Sequence, residues 1–363
     1  MSTTRTHDDS TTDVDARLAS SSVVVLSGGR SSEREVSLKT GAAVARALSA
    51  SADRRGPARV SEIEILADGR WRTPTGVRAP ADVLSSTDPT TVWFLCLHGG
   101  EGEDGTIQGL LTALGFVHTG SGVGASALCM SKSWTRDVLR AAGLTVAPGL
   151  CVRAHDWRER RGAILAEVAA LGTSGFAVKP DRGGSSVATF LVATAAEVEG
   201  AIERVLATGD RAIVEARIVG AETTCGVMGN ELDALRALTP VEIVPKDGRF
   251  FDYEEKYSAS GAAEHCPPIT ISRETCELVR ADAVRAFTAA GCRGYARIDF
   301  MIPRTNTGPN RTSAEGHPVV LEINTLPGMT DRSLLPQAAA EAGMSFRDLC
   351  LEILRLALDR PRS

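Results

Sequence analysis

Twice in its first hundred residues the chain runs an unbroken apolar segment straight into a glycine-rich turn, and this restricts the folds open to it. Val23-Val-Val-Leu26 leads into Gly28-Gly29 and then a helical pattern reaching about Leu48. Val92-Trp-Phe-Leu-Cys-Leu97 leads into His98-Gly-Gly-Glu-Gly-Glu-Asp-Gly105. A short run that is apolar on both faces suits a strand buried on both sides, as in a parallel sheet covered by helices. With Ile63-Glu-Ile65 as a further strand, the alternation predicts an α/β unit with an open parallel sheet and ligands at the carboxyl ends of its strands. The dinucleotide fingerprint G-x-G-x-x-G is absent, which counts against a nicotinamide- or flavin-binding version of that fold.

A length of 363 residues exceeds what one core usually serves. We read an N-terminal α/β unit at 23–120, a central unit at 121–219 and a C-terminal α+β unit at 220–360. The central unit opens at Gly120, has a helix near Ser131 to Ala142 and closes with the strand Ala212-Ile-Val-Glu215. From Gly220 short strands with period-two alternation take over, followed by a helix at about 272–290. Residues 1–22, rich in Ser, Thr and Asp, read as a disordered tail, and 304–317, without periodicity, as an enlarged mobile loop. A net charge of −5 argues against a large nucleic-acid footprint, and no apolar run approaches the ~20 residues that span a bilayer. Eight cysteines without a C-x-x-C pair fit reduced, buried thiols in a cytoplasmic protein.

Chemistry concentrates near the end of the chain. In Val319-Val-Leu-Glu-Ile-Asn324, Glu322 and Asn324 share one face of a strand, because side chains alternate. Arg297 and Asp299 share a face of the preceding strand by the same rule. If the two strands pair, three oxygen-bearing side chains and one guanidinium converge. Oxygen donors without His or Cys suit Mg²⁺, which usually brings phosphates with it. Pro327-Gly328, just beyond, marks a backbone that a ligand can approach closely.

Other segments are read one at a time. Glu33, at the end of Gly28-Gly-Arg-Ser-Ser-Glu33, either charges the first turn of a helix favourably or pairs with a substrate ammonium. His98 is either a satisfied loop histidine or a neighbour of the reacting centre, with Glu103 placed to orient a side chain. Lys179-Pro-Asp-Arg-Gly-Gly-Ser-Ser186 offers a lysine, two glycines and two hydroxyls, a phosphate-gripping pattern distinct from a P-loop because the lysine precedes the glycines. Lys132, near a helix start, is either a second phosphate contact or solvent-exposed. Phe251-Asp-Tyr-Glu-Glu-Lys-Tyr257 reads as a water-excluding flap or as a hairpin packed on the core.

In this order the segments resemble the D-alanine–D-alanine ligases of the ATP-grasp superfamily, over roughly residues 23–358. The motifs are G-G-R-S-S-E-R-E-V-S from Gly28, H-G-x(3)-E-D-G-T-I-Q-G from His98, T-G-S-G-V from Thr119, K-P-x(3)-G-S-S from Lys179, D-Y-E-E-K-Y from Asp252, R-I-D from Arg297 and L-E-I-N-T-L-P-G-M-T from Leu321. The resemblance implies a three-domain ATP-grasp fold. It also implies ATP-dependent joining of two D-alanines through an acyl phosphate, for peptidoglycan precursor synthesis, by a cytoplasmic homodimer. Two Mg²⁺ (or Mn²⁺) ions would rest on Asp299, Glu322 and Asn324. Lys132, Lys179, Ser186 and Lys256 would contact phosphate, Glu215 the adenine amino group and Glu222 the ribose. Glu33 would hold the first ammonium, Arg297 and the Gly328 N–H an oxyanion, and Ser333 and Leu334 the second carboxylate. Ser185 and Tyr257 would tie the flap to Glu33, and Tyr257 favours an amine over a lactate nucleophile. Leu97 would belong to the scaffold.

The chain departs from the family pattern in places. Ala216 follows Glu215 where a lysine is common, Ser131 precedes Lys132 where an aspartate is common, and Ala188 stands where a glycine is usual. These departures keep open a related ATP-grasp carboxylate–amine ligase with another amino-acid substrate. A nucleotide-binding regulator without turnover is the reading from another class, and intact Arg297, Asp299, Glu322 and Asn324 count against it.

Overall fold

The structure is a computed structural model that describes residues 7–50, 55–171, 175–183, 188–231, 234–244, 263–307, 312–330 and 332–359. Three sheets organise it. The first contains β1 (Ser22–Gly28), β2 (Arg59–Ile65), β3 (Trp71–Thr73), β4 (Gly76–Arg78), β5 (Val92–Leu95) and β6 (Val117–His118), in the order β4-β3-β2-β1-β5-β6. Its centre is parallel as the apolar runs require: β1 pairs in parallel with β2 and β5, and β5 with β6. The antiparallel edge formed by β3 and β4 was not legible, since three-residue strands leave no periodicity. Burial holds that edge, with Trp71 packed edge-on to Trp93 at 5.8 Å between ring centroids.

The expected disordered tail is corrected over His7–Ser20, which forms a helix. Val14 and Leu18, one turn apart, are buried in the first core, and Arg355 Nε lies 2.6 Å from Asp15 Oδ1. Two apolar residues among polar neighbours are too sparse a stripe to recognise, and the partner surface comes from the far end of the chain. That surface is the helix Phe346–Leu358, whose Leu349, Ile353 and Leu354 share the core with Val23, Val25 and Phe94. The first core is therefore closed by the last helix.

The second sheet, β7 (Gly149–Val152), β8 (Phe176–Pro180), β9 (Phe190–Val192) and β10 (Ala212–Ala216), has the order β7-β10-β8-β9. Val152, Val178, Ala212 and Val214 pack against Val198, Ile202 and Val205 of the helix Ala195–Leu206. Alternation then turns Lys179 and Glu215 to the opposite face.

The third sheet contains β11 (Gly220–Gly229), β12 (Arg236–Ala237), β13 (Val241–Val244), β14 (Ala263–His265), β15 (Gly294–Thr307), β16 (Thr312–Glu315) and β17 (Val319–Asn324). Ala296, Ile298, Phe300 and Ile302 of β15 enter a core with Val279, Ala283 and Phe287 of the helix Arg273–Ala289. Truncating Ile298 or Phe300 to alanine would cost about 2–5 kcal/mol of stability. Arg297 and Asp299 are thereby forced to the other face.

The mobile loop expected at 304–317 is corrected over 304–307 and 312–315, and 308–311 lie outside the described residues. Arg304 to Thr307 continue β15 and pair antiparallel with Thr312 to Glu315. Ladder hydrogen bonds between two polar strands need no hydrophobic alternation, so the pattern gave no sign of them. Among the described residues, no helix is long and apolar enough to cross a membrane.

Candidate active site

β15 and β17 pair antiparallel with Arg297 opposite Asn324 and Asp299 opposite Glu322. The condition set by the sequence, that these strands be neighbours, is met. The register shifts between Asp299 and Phe300, where Leu321 has no opposite residue. Such a bulge bends the strand and re-aims its side chains next to a site.

Asp299, 7 % exposed, is the most heavily engaged group. Its Oδ1 accepts from Arg297 Nε at 2.8 Å and from Thr224 Oγ1 at 2.6 Å. Its Oδ2 accepts from Arg297 Nη2 at 2.8 Å and from Asn324 Nδ2 at 3.0 Å. That uses about all four lone-pair positions of a carboxylate. Thr224 was missed in the sequence, although it follows Glu222 by two residues on the same strand and so shares its face; β11 sets Thr224 directly opposite Asp299.

Lys179 Nζ lies 2.7 Å from Glu215 Oε2, and Arg136 Nη1 lies 3.6 Å from Glu215 Oε1. Burial disfavours the Lys179 ammonium, but Glu215 and then Glu322 outweigh it and hold its pKa above the ordinary lysine value. Lys132 Nζ donates to the Gly183 carbonyl at 2.7 Å and sits 3.7 Å from Glu322 Oε2. Two lysines from separate elements thus approach the β15–β17 carboxylates, which suits anionic phosphates lying between them. Arg136, buried beside Glu215, was also missed; its position one helical turn after Lys132 was the available signal.

The two glycine loops of the first sheet meet each other. Glu33 precedes the helix Arg34–Ser49 and is 9 % exposed. Gly99 has φ of 67°, the left-handed region that favours glycine, and a Cβ there would lie 2.8 Å from Glu33 Oε2, the movable end of that side chain. His98 is buried, with Nε2 3.0 Å from Thr40 Oγ1 and Nδ1 3.5 Å from Glu103 Oε1. The loops also line a cavity of about 170 Å³ with Gly28, Ser31, His98 and Gly99 in its wall. Beyond β17, Ser333 occupies the N-cap position of the helix that begins at Leu334 without a side-chain cap hydrogen bond, and its Oγ is 2.8 Å from Thr330 Oγ1. A Cβ on Gly328 would fall 2.8 Å from Ser333 Oγ, so a side chain there would displace that hydroxyl. Ala188 has φ of 61°, the left-handed region that favours the glycine usual at this position. Ser185, Ser186, Lys256 and Tyr257, and with them the expected flap, lie outside the described residues.

Family comparison agrees with this geometry. The family described as D-ala D-ala ligase C-terminus matches residues 138–355. The D-alanine–D-alanine ligase of Desulforudis audaxviator (strain MP104C) is 40% identical over 338 residues, covering 93% of this chain and 98% of the relative. The chain belongs to the D-alanine–D-alanine ligase family. Among solved structures, the VanG D-Ala:D-Ser ligase from Enterococcus faecalis has a TM-score of 0.75 at 28% identity, covering 93% of this chain and 99% of the other. The D-alanine–D-alanine ligase from Bacillus anthracis complexed with ATP has a TM-score of 0.72 at 26% identity, covering 93% and 98%. These matches bear out the ATP-grasp fold expected from the sequence.

The expected metal donors are Asp299, Glu322 and Asn324. Among the described residues no group of three or more His, Cys, Asp or Glu side chains could hold a metal ion. A cation at the β15–β17 strands would rest on two carboxylates and the Asn324 amide oxygen. That all-oxygen set fits Mg²⁺ or Mn²⁺ by type. It would require Arg297, Thr224 or Asn324 to release a lone pair of Asp299, since all are engaged.

Proposed function

We propose that the protein joins two D-alanines to D-alanyl-D-alanine, converting ATP to ADP and phosphate, and so supplies a peptidoglycan precursor. The single observation that carries this is the β15–β17 register, which sets Arg297, Asp299, Glu322 and Asn324 on one face, with Lys132 reaching it from a separate element.

The first carboxylate attacks the γ-phosphorus and ADP leaves, giving an acyl phosphate. The amine of the second D-alanine, as its free base, adds to the acyl carbon; the carbon–oxygen bond to phosphate then breaks, and the proton given up by the nitrogen leaves with the phosphate. Glu33 holds the first ammonium, and His98 sits beside the acyl centre. Lys132, Lys179 and Ser186 hold the ATP phosphates, and Lys256 the transferred phosphoryl group. Glu215 accepts from the adenine amino group and Glu222 from the ribose. Arg297 and the Gly328 N–H stabilise the oxyanion, and Ser333 and Leu334 receive the second carboxylate at a helix N-terminus. Ser185 and Tyr257 tie the flap to Glu33 and exclude water. Asp299, Glu322 and Asn324 would hold Mg²⁺ or Mn²⁺, which when bound neutralises charge between carboxylate and triphosphate. The reading includes a homodimer, carried by family resemblance, and a cytoplasmic protein with units at 23–120, 121–219 and 220–360, carried by cysteine usage and the pattern of elements along the chain.

ADP release measured with D-alanine, L-alanine, D-serine and D-lactate tests the substrate. We expect D-alanine to dominate, with dipeptide as product. Because one similar structure is a D-Ala:D-Ser ligase, faster incorporation of D-serine at the second position would replace this reading by the related-ligase alternative. Glu33→Gln should raise KM for D-alanine about tenfold or more, the loss of a charge-assisted hydrogen bond, with KM for ATP little changed. An unchanged KM for D-alanine would remove Glu33 from the first subsite.

A further inference from the structure

Asp181 lies one residue beyond β8, fully buried, yet no step above uses it. Its Oδ1 accepts from the Ser133 N–H at 2.7 Å and its Oδ2 from Ser131 Oγ at 2.9 Å. Its carbonyl accepts from the Lys132 N–H at 3.0 Å, and its own N–H donates to the Arg211 carbonyl at 2.9 Å. Arg211, from the residue before β10, also forms an ion pair with the carboxylate. One buried acid thus joins the end of β8, the start of β10 and the first turn of the helix Lys132–Ala141.

That first turn begins with Lys132. A lysine there is disfavoured twice, because its ammonium faces the positive end of the helix dipole and its long side chain has much rotamer freedom to lose. The Asp181 carboxylate bound to the Ser133 amide offsets the first effect. The fixed start of the helix limits the second, since Lys132 Nζ must reach both the Gly183 carbonyl and Glu322 Oε2. Gly183 lies only two residues after Asp181, so the same strap fixes the lysine and its carbonyl anchor.

We propose that Asp181 is a positioning residue for ATP: it pins the first turn of this helix to the end of β8 and so holds Lys132 in place for a phosphate. This deepens the ligase reading and rests on it for the role of Lys132. Ser131 Oγ is 2.9 Å from Asp181 Oδ2 and 3.4 Å from Arg211 Nη2. A carboxylate placed at position 131 would therefore reach the same arginine, and the strap can be moved as well as removed.

The test compares Asp181→Ala, Asp181→Asn and the double variant Asp181→Ala with Ser131→Asp. KM for ATP, KM for D-alanine and melting temperature are measured, with calorimetric binding of adenylyl imidodiphosphate and magnesium. We expect Asp181→Ala to weaken the nucleotide about tenfold in both KM and Kd, with KM for D-alanine within about twofold. Asp181→Asn should fall between, and the double variant should recover most of the nucleotide affinity. Should Asp181→Ala not fold, the asparagine and relocated variants carry the comparison. Unchanged nucleotide affinity in a folded Asp181 variant, or a relocated variant that regains melting temperature but not nucleotide affinity, would overturn the proposal. Absence of D-alanine-dependent ADP release from the parent protein would instead overturn the ligase reading, and the calorimetric comparison would still be readable.

Discussion

Arg297→Ala should lower kcat with D-alanine by about two to three orders of magnitude, the loss expected when one donor to a developing oxyanion is removed. A second effect accompanies it. Arg297 donates from two nitrogens to Asp299, and both side chains are largely buried, at 16% and 10% exposure. Removing the guanidinium leaves a buried carboxylate without its cation, so melting temperature should fall together with rate. Arg297→Lys separates the two effects, because it restores charge without the planar fork. It should recover more of the stability than of the rate. Initial-rate kinetics beside thermal unfolding read both, and near-wild-type turnover by Arg297→Ala would remove the residue from the reaction.

Glu322→Ala should lower kcat/KM for ATP by about a hundredfold or more and move the magnesium dependence to higher concentration. Glu322 is directly opposite Asp299, lies 3.7 Å from Lys132 Nζ, and helps to raise the Lys179 pKa. Its loss removes an oxygen donor and leaves positive charge in excess where the metal would bind. A magnesium titration at saturating D-alanine is the check. Partial recovery at high magnesium supports a metal-holding role, whereas an unchanged half-saturating concentration with a lowered rate would point to Lys132 alone as the partner of Glu322.

Legibility differed between elements for physical reasons. The parallel strands at Val23 and Val92 and the paired face of Arg297, Asp299, Glu322 and Asn324 were readable because burial imposes period-two or continuous apolar patterns. The helix His7–Ser20 and the hairpin through Thr307 and Thr312 were not, since their stability comes from the distant helix Phe346–Leu358 in one case and from backbone pairing in the other. Thr224 and Arg136 escaped notice because neither sits in a glycine-bearing motif. Each becomes meaningful only beside Asp299 or Glu215.

The order of residues by itself determined which side chains share a face, where glycine allows close approach, and which oxygen donors and cations are available, because these follow from local periodicity and chemistry. Only the folded chain decided that Asp299 would be saturated by Arg297, Thr224 and Asn324, that Lys132 would reach across to Glu322, and that Asp181 would tie the helix bearing Lys132 to β8 and Arg211. Those contacts join residues far apart in sequence, through strand register and helix docking that no local pattern encodes.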